Sequence, residues 1–220
     1  MFFKLRRFFL TVLSFSLLMV GVLVSLAPLM LLRQQLDAPT FAMAVCAWLA
    51  LVLLALLSLT NMLLRRIWFF RGQGEPVSLD QLRQRLLSVN AMECPVMALG
   101  KRRKIVFTWR FKELRWCELF SRLGKNRLDE LHCRFDADTR TVYLSDRVRL
   151  ADFIICPDRI KISRPRIPLP LLRASSKRLN AIKQYADLAE HEYAFHGREI
   201  KSPVLGTILA SGWHVRYTLF

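Results

Sequence analysis

"FFLTVLSFSLLMVGVLVSLAPLMLL", residues 8–32, carries no charged side chain over 25 positions, and "FAMAVCAWLALVLLALLSLTNMLL", residues 41–64, carries none over 24. How these two runs are read decides the fold. A helix needs about 20 apolar residues to cross the hydrocarbon core of a bilayer, so each run is long enough to span it with some tilt. The first begins like a secretory signal, with Lys4, Arg6 and Arg7 ahead of the apolar positions and a small-x-small triplet at 25–27. Signal cores are about 7–15 residues long. Here 17 apolar-rich positions (8–24) precede the triplet, Pro28 follows it and the run continues. The expectation is an uncleaved anchor, bent near its end at Pro28.

Only "RQQLDAPT" (33–40) separates the runs, too short for anything but a tight connection, so the pair reads as an antiparallel transmembrane hairpin. Lys4, Arg6 and Arg7 flank one outer end, and Arg65, Arg66 and Arg71 the other, whereas the loop carries only Arg33. The positive-inside rule then predicts both termini on the cytoplasmic side, and the membrane expected is a bacterial inner membrane. Arg65, Arg66, Trp68, Phe69 and Phe70 read as interfacial anchors, as do Phe2 and Phe3. Gly21 with Ser25, and Cys46 with Ala50, have the four-residue spacing of a small-residue packing face between the spans. No ionisable Asp, Glu, Lys, Arg or His lies within either run, which speaks against an ion or proton pathway.

Residues 1–71 are thus the hairpin, and residues 72–220 form one cytoplasmic domain. That domain holds 27 Lys and Arg against 16 Asp and Glu, a formal charge of +11. Beside an anionic leaflet each basic residue near the surface contributes about 1 kcal/mol of attraction, and nucleic acid would feel the same field. Cys46, Cys94, Cys117, Cys133 and Cys156 show no C-x-x-C spacing and read as reduced, mostly buried thiols.

Within the domain, "RGQGEPVS" (71–78) is a polar linker, and Ser78 caps a helix over 79–89. "PVMAL" (95–99), the turn "GKRR" and "KIVFTWR" (104–110) read as a hairpin, with Ile105, Phe107 and Trp109 on one face. Phe111, Leu114, Cys117, Phe120 and Leu123 recur every three residues and predict a helix over 111–123, ended by Gly124. "LDELHCRF", "DADT" and "RTVYLSD" form a second hairpin. "DFIIC" and "RIKIS" are short strands, and "RPRIPLP" is extended. Ser175 or Ser176 caps a long helix to about His196, with Leu179, Ile182, Tyr185, Ala186 and Ala189 as its stripe. "VLGTILA" and "WHVRYTLF" read as a closing hairpin. The fold class expected is a membrane-anchored α+β protein, with a mainly antiparallel sheet and about three helices after the transmembrane hairpin.

Signatures of catalysis are missing. There is no phosphate-binding glycine loop and no G-x-S-x-G. His191 and His196 are five apart, so about 140° separates them on a helix, against a zinc pair. "DADTRTVYLSD" lacks the glycine and the terminal glutamate of a calcium loop. The expectation is a non-enzymatic protein with no cofactor and no metal. It binds or regulates a protein partner, or a second copy of itself, at an anionic bilayer. Lys101, Arg102, Arg103, Lys104, Arg110 and Arg115 supply the membrane-surface basic face. Two alternatives stand beside it. One is a pore-forming or membrane-disrupting effector of a defence or toxin system, suggested by architecture alone. The other is a tethered nucleic-acid-binding domain, with Trp109 or Trp116 as stacking platform.

Overall fold

The structure, a computed structural model, describes residues 2–34, 36–124, 127–153, 157–160, 164–165, 179–189 and 192–218. The chain divides into two compact units, Met1–Trp68 and Phe69–Phe220.

The first unit is two long helices, α1 (Phe2–Leu32) and α2 (Ala38–Ile67). Both are long and apolar enough to cross a membrane. Pro28 lies within α1, and Arg65 and Arg66 occupy the last turn of α2, where cations offset the helix dipole. The Trp48 indole N–H donates to Ser25 Oγ (3.2 Å), which itself donates to the Val22 carbonyl (2.7 Å). Such a bond links two helices well where water is scarce. Of the small residues expected to face between the helices, only Ser25 makes such a contact among the described residues. Gly21, Cys46 and Ala50 are exposed, and a Cβ on Gly21 would meet nothing within 4 Å.

The second unit is a mixed, mostly antiparallel sheet with helices. Its elements are β1 (Phe69–Phe70), α3 (Leu79–Leu87), β2 (Val96–Lys101), β3 (Lys104–Trp109), α4 (Leu114–Arg122), β4 (Arg127–Asp136), β5 (Thr141–Phe153), β6 (Pro157–Ile160), β7 (Arg164–Pro165), α5 (Gly197–Ala210) and β8 (His214–Tyr217). The main order is β1-β8-β5-β4-β3-β2, with β6 and β7 paired to β5. Every pairing is antiparallel except β5 with β8.

Helix α3 opens with a capping box in which Ser78 Oγ accepts from the Gln81 N–H and Gln81 Oε1 from the Ser78 N–H. A 3₁₀ turn over Ser88–Ala91 follows, and the Asn90 amide bonds both backbone groups of Ala98 (2.8 Å each). The β4–β5 hairpin turns where Asp136 accepts from the Thr139 hydroxyl (2.8 Å). One face of the sheet is the core. Ile105, Phe107 and Trp109 pair along it with Cys133 and Leu131 of β4 and with Gly100, Ala98 and Val96 of β2, and the helices pack against it. Trp109 stacks edge-on to Phe120 of α4 and to Phe195.

Four sequence expectations need correction. The 71–78 linker is fastened rather than free: Gln73 N–H donates to the Leu209 carbonyl (2.9 Å), Val77 N–H to Ser211 (3.2 Å), and the Trp213 indole to Val77 (2.9 Å). A Cβ on Gly74 would lie 1.8 Å from the Ala210 carbonyl, so only glycine permits this approach. Helix α4 starts later than expected, and its buried face is Trp116, Cys117 and Phe120. Leu114 and Leu123, 61% and 49% exposed, lie off it. A three-residue step falls about 60° short of a full turn, so a long three-residue stripe must rotate out of contact. The long helix to His196 is, among the described residues, a 3₁₀ segment over Ile182–Asp187 followed by irregular chain. Its proposed start at Ser175 or Ser176 lies outside the described residues, as do "RIPLP", Cys156 and Leu219. Finally, "VLGTILA" belongs to α5, so no closing hairpin forms. β8 instead inserts between β1 and β5.

Candidate functional site

The basic residues singled out in the sequence do not gather into one patch. Lys101 closes β2, Arg102 and Arg103 make the two-residue turn, and Lys104 opens β3. The Arg83 guanidinium braces this turn by donating to the carbonyls of Lys101 (2.6 Å) and Arg102 (3.1 Å). Arg115 is exposed on α4, which packs on the core face, and its guanidinium lies 5.2 Å from the Trp116 ring. Arg110 turns inward. It donates to the carbonyls of Val96, Val89, Asn90 and Met92 and pairs with Glu113 at 3.3 Å. A planar guanidinium suits this task, because its fork reaches several acceptors at once.

The expected interfacial anchors also divide. Arg65 and Arg66 end α2, Trp68 is buried, and Phe69 and Phe70 form β1, paired with Arg216 and Val215 of β8. Trp109 and Trp116 are both buried, so neither indole offers a stacking platform.

What the sequence does not reveal is a single rung of side chains across the sheet. Lys101 of β2 pairs with Lys104 of β3, and Lys104 with Arg134 of β4. Arg134 pairs with Tyr143 of β5, Tyr143 with Arg216 of β8, and Arg216 with Phe69 of β1. Directly opposed residues share a face, so these six side chains line the face away from the core. Six strands about 4.8 Å apart make a rung about 24 Å long. Lys101, Arg134 and Arg216 are exposed, and Lys104, Tyr143 and Phe69 are half-buried. The Arg134 guanidinium sits 5.5 Å from the Tyr143 ring, and that of Arg216 5.0 Å from the Phe69 ring. The only sequence signal was a basic residue on the outward phase of β2, β3, β4 and β8, with aromatic rings from β5 and β1. Strand order had to be known before those signals could be joined.

A second feature is polar and partly enclosed. A cavity of about 290 Å³ lies between the start of α5 and strands β4 and β5, lined by Asp129, Asp146, His196, Arg198 and Lys201 among others. Asp146 and the Lys201 ammonium form a buried ion pair at its wall. The Asp129 carboxylate stands beside Gly197 at the α5 N-terminus, where a negative charge is favoured. Opposite charges balance around this cavity, so it has no net preference for an ionic ligand. Nearby, Glu199 accepts from the N–H groups of Phe195 (3.0 Å) and Ala194 (3.3 Å), while burial pushes its carboxyl above the usual range. Burial raises the Cys133 thiol as well, and the Asp146 carboxylate adds to it, which favours the protonated thiol over the thiolate. Among the described residues no group of three His, Cys, Asp or Glu is placed to hold a metal ion. No protein-family model, curated protein or solved structure matches the chain.

Proposed function

We propose that this chain is a non-enzymatic integral protein of a bacterial inner membrane, with both termini in the cytoplasm. Its apolar hairpin anchors a basic domain that binds or regulates a protein partner at the membrane surface. The observation that carries this reading is the solvent-facing character of α1 and α2. Leu31, Leu51 and Leu54 are 77%, 68% and 70% exposed, within runs that hold no charge. Soluble monomers rarely expose contiguous apolar patches beyond a few hundred Å², and a bilayer removes this cost. The basic residues outside both helix ends support the cytoplasmic placement.

Crosslinking the full chain in native membranes tests the partner role. The expected result is a discrete higher-mass adduct in a fraction that resists alkaline carbonate. A carbonate-resistant chain that forms no adduct contradicts the partner role, and release by carbonate contradicts the anchor.

A further inference from the structure

We infer that the cross-strand rung Lys101–Lys104–Arg134–Tyr143–Arg216–Phe69 is the surface on which the domain rests against anionic phospholipid headgroups. This rests on the proposed membrane anchoring and adds to it a specific face and a specific ligand chemistry.

Four of the six side chains are cations and none is acidic. None of the four cations is in an ion pair among the described residues. On this face Glu130 is paired with Arg149 (2.7 Å) beside His132 (3.3 Å), and Asp136, which accepts from the Thr139 hydroxyl, sets one carboxylate against the four cations. A row about 24 Å long therefore keeps a net positive charge. Its complement is an extended anionic surface.

Two observations favour a bilayer over single-stranded nucleic acid, which the same charges would attract. Base binding needs aromatic faces on which bases stack. Here both rings of the rung already carry a guanidinium, and the two tryptophans once considered for stacking are buried. Phe69 also follows α2 after a single intervening residue, Trp68. One end of the rung is thereby joined, through the chain, to the segment that carries Arg65 and Arg66.

The test uses the full chain in nanodiscs of phosphatidylcholine, with or without added phosphatidylglycerol. Lys101 and Lys104 are labelled with an amine-specific reagent and their rates read by mass spectrometry. The expected result is several-fold slower labelling of both lysines in anionic discs at low salt, with the difference lost at high salt. Arg134→Glu with Arg216→Glu should abolish the slowing. Arg122→Glu with Lys183→Glu makes the same charge change at exposed positions off the rung and should preserve it. Equal rates in the two disc types overturn the inference, as does an off-rung pair that acts as strongly as the rung pair. Slowing by a single-stranded oligonucleotide, but not by phosphatidylglycerol, overturns it in favour of nucleic acid. A chain that leaves the discs overturns the anchoring as well, which separates the two failures.

Discussion

Arg110 draws together the 3₁₀ turn after α3, the start of β2 and the approach to α4 through four carbonyls and one carboxylate. Lysine keeps the charge but not the fork. Arg110→Lys should therefore destabilise the fold by about 1–3 kcal/mol, as several part-buried carbonyls lose their donor. Thermal unfolding of the full chain in detergent measures this, with Arg115→Lys near neutral as the comparison. Glu199 makes a different prediction. Its folded carboxyl holds a proton more tightly than the unfolded one, because burial penalises the charge more than the two N–H donors favour it. Its contribution is thus greatest at low pH, and falls as pH rises from the usual carboxylate value through the raised one. Comparing unfolding midpoints between about pH 4 and about pH 8 should show a smaller decline for Glu199→Gln than for the parent. The inward role of Arg110 was hidden in the sequence, where one more arginine beside "KIVFTW" looked like surface charge. The burial of Trp109 was legible, because strict alternation put it in phase with Ile105 and Phe107.

At the scale of the element, α5 is the clearest lesson. Proline and glycine ordinarily weaken a helix interior, and "VLGTILA" is rich in strand formers, yet the segment that holds Pro203 and Gly206 is helical. Proline at 203 leaves the Glu199 carbonyl without its helical N–H partner. The Tyr185 hydroxyl supplies the missing donor at 2.6 Å. Gly206 lies where a Cβ would meet the Asn180 carbonyl at 1.8 Å, so it allows the chain around residue 180 to cross the helix closely. Both apparent breakers are answered by contacts 14 or more residues distant, which local propensity cannot register. Tyr185→Phe removes only the hydroxyl and should cost about 1–3 kcal/mol by orphaning that carbonyl. Amide exchange along 199–204 should quicken in the variant, and unchanged exchange there would refute the role. The segment around Tyr185 failed for a related reason. Leu179, Ile182 and Tyr185 are buried as expected, but a three-residue interval suits a 3₁₀ turn as well as an α-helix.

For the molecule as a whole, the two apolar runs were legible because length and absence of charge need no tertiary information. The antiparallel hairpins β2–β3 and β4–β5 were legible because turn chemistry and alternation are local. The place of β8 was not. Its parallel pairing with β5 joins residues about 73 apart, from Thr141 to His214, and no local signal encodes it. That insertion carries Arg216 into line with Tyr143 and Phe69, and so completes the rung from which a basic sheet face is built. The anchoring of this domain by a hairpin with both ends in the cytoplasm is the claim on which the functional reading depends. Protease accessibility of tags at both termini, compared between right-side-out and inverted inner-membrane vesicles, tests it. Both tags should be cleaved in inverted vesicles and protected in right-side-out ones. Tags cleaved on opposite sides, or a chain absent from the vesicles, would contradict it.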